Sequence, residues 1–332
     1  MRIVIEKVPI PIAGVALGLA ALGNLLQPYT EAAHVACGLA AFALVALLMA
    51  KIALFPQAIR DDLRNSVMAS VSATLFMAFM QLSGYLAPFA FGFAFALWAA
   101  AVAAHLALMC WFTARFIMRF KLDEVFPTYF ICYVGIVVAS ATSPVFGMEA
   151  AGHALFWLGF AFYVVLLGLV TYRYAKHEVP EPAQPLLCIY TAPMSLSLVG
   201  YLTCAPNPNP VFAGVMLAIA QMLLVVVLSQ LPRLLRLRFY PSYAAMTFPF
   251  VITATALGKA IAFFRAQGVA LPEALDVLFV AETAVAVVMV AYVLGHYLRF
   301  LFGRTAAARV AAPAPTPAEG PRASLAAEST EG

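Results

Sequence analysis

Long apolar runs alternate with short polar punctuation along the whole chain. The runs lie at 9–27, 32–54, 66–87, 89–112, 126–146, 150–172, 185–204, 210–231, 241–264 and 273–301. Each is close to the ~20 apolar residues that a helix needs to cross the hydrocarbon core of a bilayer. The third and fourth are separated only by Leu86-Ala87-Pro88-Phe89, which predicts a tight helical hairpin. From Gly303 onward Ala, Pro, Ser and Glu take over, a composition too poor in large apolar side chains to bury a core. The pattern predicts an all-α polytopic membrane protein, with a ten-span domain over residues 1–302 and a disordered tail over 303–332.

A second pattern lies on top of the first. The odd-numbered runs begin alike, each after a charged stretch, at Pro9, Ser66, Pro127, Pro185 and Pro241, spaced by 57, 61, 58 and 56 residues. Even spacing of this kind signals a repeat, here five helical hairpins. Proline suits the first turn of a helix, where its missing N–H has no intrahelical partner to lose. The odd runs also carry small or hydroxyl residues four apart: Gly14/Gly18, Ser66/Ser70/Thr74, Gly135/Ala139/Ser143, Pro193/Ser197 and Ala245/Pro249/Thr253. Such stripes let helices pack closely in lipid. They also suit an inner ring around an axis. The second prolines Pro11, Pro144, Pro193 and Pro249 favour the ring, because lipid cannot satisfy the carbonyls they free.

Composition and charge sharpen this picture. Of 332 residues 64% are apolar and only 10% charged, with a mean hydropathy of +0.96. A soluble domain carries about 25% charged residues, so a soluble globular enzyme is excluded. In the ten-span arrangement, 17 of the 19 lysines and arginines fall on the side that holds both termini, leaving Lys259 and Arg265 on the other. The positive-inside rule makes the populated side cytoplasmic and places the chain in the inner (plasma) membrane. Topology therefore accounts for the basic residues, and no nucleic-acid partner is expected. The five cysteines show no CxxC or Cys/His spacing, which predicts no disulfide framework, no metal site and no cofactor. Hydrolase-elbow, HExxH and P-loop signatures are absent, and no enzymatic activity is expected.

Few ionisable residues fall inside the runs. Glu282 is the main one, a candidate for a proton relay or for a pair with Lys259, and His105 reads as a packing residue. Between their entries and outer thirds the odd runs hold no charge, so any lumen they enclose is expected to be neutral and rather apolar.

Three short motifs carry a family resemblance: Pro9-Ile-Pro-Ile-Ala-Gly14-Val-Ala-Leu-Gly18, Phe126-Pro-Thr-Tyr-Phe130 and Thr247-Phe248-Pro249. Together with the five-hairpin spacing, they make the chain resemble the tellurite-resistance/dicarboxylate transporter family, which includes the plant guard-cell slow anion channels. The resemblance covers roughly residues 5–302. It implies a pore inside the five odd helices, an outer ring of the even helices, and a homotrimer in the lipid bilayer. It also implies that the Phe248 ring plugs the pore. The candidate lining is then Gly14, Gly18, Ser70, Thr74, Gly135, Ala139, Pro193, Ser197, Thr247, Pro249 and Thr253. Two departures stand out. The third run reads Ser70-Val-Ser-Ala-Thr74-Leu where the family pattern has a mid-span proline, and Val134-Gly135-Ile136 lacks the asparagine often seen in the fifth. The function implied is membrane transport of a small inorganic or organic anion. The alternative is a proton-coupled carrier or efflux protein for C4-dicarboxylates or tellurite-type oxyanions.

Overall fold

The computed structural model describes residues 2–303. Gly303 apart, the expected tail lies outside the described residues. Among these residues every regular element is a helix and there is no strand. Eight helices are long and apolar enough to cross a membrane: α2 (Glu31–Leu54), α3 (Ser66–Leu86), α4 (Phe91–Ile117), α6 (Glu149–Lys176), α7 (Glu181–Cys204), α8 (Pro210–Leu234), α9 (Pro241–Ala266) and α10 (Ala274–Phe302). The run at 126–146 is a broken pair, Thr128–Val134 and Val137–Phe146, that bends by 52° and is labelled α5. The run at 9–27 holds a shorter helix, α1 (Ile12–Leu26), because Pro9 to Pro11 form a turn before it.

Odd and even segments differ in regularity, for local reasons. The even helices are continuous for 22 residues or more. The odd ones from α3 onward are each interrupted. In α7 the stretch Glu181–Thr191 winds as a 3₁₀-helix holding Pro182 and Pro185, and the α-helical part starts at Ala192 with Pro193 in its first turn. In α9, Pro241–Met246 is 3₁₀ and the α-helix restarts at Phe248 with Pro249 in its first turn. Proline removes a helical donor at each point. In α3 the break falls at Ser72 without a proline. Three hydroxyls bond back to their own helix there, Ser70 to Ser66 O, Ser72 to Ala69 O and Thr74 to Val71 O. Such back-bonding competes with the backbone ladder and loosens it, so hydroxyls do here what the missing proline would have done. In α5 the ladder is broken at Gly135 and Ile136, and His105 of α4 donates its Nε2–H to Cys132 O at 2.9 Å beside that break.

Burial separates two layers. Within the spanning windows of α3, α7 and α9, 67–83% of residues are buried, against 28–33% in the even helices. Thirteen of the 15 residues of α1 are buried. The inner segments touch in the order α1, α3, α5, α7, α9 and back to α1, a closed ring. Each outer helix packs on its hairpin partner and on the next inner segment.

A polar contact pins every seam of the ring. Asn24 donates to Gln81 at 2.8 Å between α1 and α3, and Ser70 to Thr128 Oγ1 at 2.8 Å between α3 and α5. The Cys204 thiol reaches Ser140 O at 2.9 Å between α5 and α7, and Ser195 meets Thr253 at 3.1 Å between α7 and α9. Thr247 donates to Gly14 O at 3.1 Å and closes α9 onto α1. In lipid such bonds contribute ~0.6–2 kcal/mol each.

Candidate functional site

The inner segments line a partly open cavity of about 70 Å³. Every lining residue comes from an inner segment, and all five segments contribute. The wall is mainly Leu, Ile, Val, Met and Phe. Its only hydroxyls belong to Thr74 and Ser242, and both are donated to backbone carbonyls, Val71 O at 2.7 Å and Pro182 O at 2.6 Å. No charged side chain lines it. Such a wall presents no charged or titratable side chain. It can exclude water and impose a dehydration cost on whatever passes.

Phe248 lies on this wall, 5% exposed, as the first α-helical residue of α9. Its position is set by α1. Thr247 adopts φ −109° and ψ −88°, outside the helical region, and its hydroxyl bonds Gly14 O of α1 and Ala244 O of its own segment. Gly18 makes that approach possible. A Cβ at position 18 would come within 2.7 Å of Thr247 Cβ and 3.0 Å of Phe248 N. The Pro/Gly opening of α1 and the Thr-Phe-Pro of α9 are thus two halves of one mount for the ring.

The candidate lining residues divide into three groups. Gly14, Thr74, Gly135, Pro193 and Pro249 stand on the cavity wall with Phe248. Gly18, Ser70, Thr247 and Thr253 sit in the seams, holding neighbouring inner helices together. Ala139 and Ser197 are fully buried off the wall, and the Ser197 hydroxyl has no partner among the described residues. What a four-residue stripe cannot reveal is the bulk of the wall, such as Met68, Val71, Met77, Phe130, Ile131 and Leu196. Their only sequence signal is membership of the same helices.

Charged and titratable side chains stand behind the wall. Glu282 of α10 is buried with both carboxylate oxygens unpartnered among the described residues, Lys259 is exposed, and no ion pair joins them. Lys51 of α2 is buried and donates to Val8 O at 2.7 Å, with Asp62 at 3.7 Å. Arg173, in the last turn of α6, is buried over the Phe126 ring at 4.2 Å. In the loop before α5, Lys121 donates to Glu124 at 2.8 Å, a bond that raises the lysine pKa.

A two-layered helical membrane protein with a neutral apolar cavity among its inner helices belongs to the class of channels and transporters. The sequence model of the voltage-dependent anion channel family (SLAC1) matches residues 7–298, almost the whole described chain, and the protein belongs to that family. It is accordingly a multi-pass membrane protein of an anion-transporting family. No curated protein matches it.

Proposed function

We propose that the chain is a passive conductor of small inorganic or organic anions, with its path through the cavity among the five inner segments and the Phe248 ring as the occluding gate. In this reading α1 to α10 are ten spans arranged as five hairpins, both termini are cytoplasmic, and three copies assemble in the plasma membrane. The observation that carries it is the wall. All five inner segments meet around one space, and that space is apolar and uncharged with an aromatic ring mounted on it. An apolar neck blocks ions by dewetting, and moving one ring out of it admits water.

Purified protein in proteoliposomes tests the reading across a panel of anions, with and without a pH gradient. Flux of at least one small anion that does not depend on the gradient is expected. Uptake that occurs only with a proton gradient would instead select the coupled carrier. Glu282 is off the cavity wall, so Glu282→Gln should leave anion flux and its pH dependence unchanged. A folded variant that lost proton-driven uptake would overturn passive conduction.

A further inference from the structure

No charged side chain lines the cavity, so any side-chain charge that biases it toward one sign of ion lies behind the wall. Two cationic side chains are buried among the described residues, Lys51 and Arg173. Lys51 has Asp62 at 3.7 Å. Arg173, 3% exposed, is in ion-pair contact with no carboxylate among the described residues.

Neutral groups hold its guanidinium. Nη1 donates to Glu178 O and Nη2 to Asp123 O, each at 3.3 Å, the Phe126 ring lies beneath at 4.2 Å, and Nε has no partner. The side chains of Asp123 and Glu178 are exposed, and Glu124 is taken by Lys121. The carbonyl end of α6 offsets about half a unit charge and leaves the rest. A guanidinium stays protonated at any physiological pH.

A chain of ring contacts leads from this charge to the cavity wall. Phe126 lies one turn before Phe130, which is on the wall. Tyr190 packs edge-on against Phe130 at 5.6 Å and against Tyr174, the neighbour of Arg173, at 5.8 Å. Aromatic rings and an apolar wall are a low-dielectric medium, through which a fixed charge acts over a longer range than it does in water. Dissolved salt screens exposed charges but hardly reaches a buried one.

We propose that Arg173 sets the sign of the permeant ion: its buried, unneutralised charge holds the cavity at a positive potential and selects small anions over cations. It is a specificity-determining residue that acts through space and does not touch the ion. The inference rests on the transport reading above.

Reversal potentials across bilayers with unequal KCl on the two sides provide the test, measured on the Phe248→Ala protein so that the path is open. The parent is expected to favour chloride over potassium. Arg173→Gln should lower that permeability ratio several-fold, while Arg173→Lys, which keeps the charge and loses the fork, should preserve it. A ratio unchanged in Arg173→Gln, with only the total current reduced, would mean the side chain is merely structural and would overturn the proposal. A second arm leaves Arg173 in place. Raising the salt from about 0.1 to about 1 M shortens the screening length from ~10 to ~3 Å. The ratio should hold across that range, whereas a fall toward unity would assign selection to exposed surface cations. Absence of any ion current with Phe248→Ala would fail the transport reading itself. Anion current with a ratio indifferent to Arg173 would fail this proposal alone.

Discussion

Phe248 is one of 26 phenylalanines in the chain, and its surroundings distinguish it. It follows a non-helical Thr247, precedes Pro249, and borders the cavity. Removing the ring in Phe248→Ala should raise anion flux in proteoliposomes by about tenfold or more, equivalent to ~1.4 kcal/mol off the barrier. Phe248→Leu should fall between, keeping the apolar character while losing volume. A packing residue would behave differently, since truncation in a soluble core costs ~3–5 kcal/mol, and folded protein rather than flux would then respond. The mount gives a second prediction. Gly18→Ala places a methyl group 2.7 Å from Thr247 Cβ, and overpacking of that kind costs ~1–3 kcal/mol. Thermal unfolding in detergent should show it as a lower midpoint. Gly168→Ala, where nothing lies within 4 Å of the added Cβ, should leave the midpoint unchanged or raise it, because alanine is the better helix former.

At the scale of the element, the lesson is how an inner helix is broken and anchored. Proline breaks α7 and α9, hydroxyl back-bonds interrupt α3, and a glycine-containing turn bends α5. Proline can be read directly from a sequence. The serines of α3 gave no comparable signal, because a hydroxyl acts on the backbone only in a particular rotamer. The entry to α1 is anchored from its hairpin partner. Lys51, in the last turn of α2, reaches Val8 O with its ammonium group, just before the Pro9–Pro11 turn. Lys51→Met should therefore destabilise the protein by about 1.5–3 kcal/mol, the range for a hydrogen bond to a charged group. Hydrogen exchange should rise most over residues 4–14, and equal exchange in the two proteins would rule out the anchor.

For the whole molecule, the layering follows from where apolar surface can go. Valines 164, 165, 225, 226, 280 and 288 on the even helices are exposed. Large apolar side chains exposed on the outer helices suit lipid or a neighbouring copy and are costly in water. Single cysteines introduced next to Arg60, Lys121, Lys176 and Arg236 should react with an impermeant thiol reagent only from the cytoplasmic side, and one next to Asn207 only from outside. Outside labelling at Arg236 would end the five-hairpin topology. The family was legible before the fold because its motifs are local: the Pro/Gly opening, Phe126-Pro-Thr-Tyr-Phe130 and Thr247-Phe248-Pro249 can each be read within a few residues.

By itself the sequence determined the membrane class, the positions of the apolar helices, the family and the lack of charge in the middle of the inner segments. Each of these depends on composition or on neighbours within a few turns, and hydropathy sums over both. Only the tertiary structure decided which stripe residues face the cavity and which close a seam. Gly14 and Gly18 share one face of α1, yet only Gly14 borders the cavity, while Gly18 makes room for Thr247. That division is set by the rotation of each helix against neighbours more than 50 residues away. The same holds for Arg173. Along the chain it is one more basic residue at a span end, and it becomes a buried charge only when the loops at Asp123 and Glu178 and the ring of Phe126 close over it.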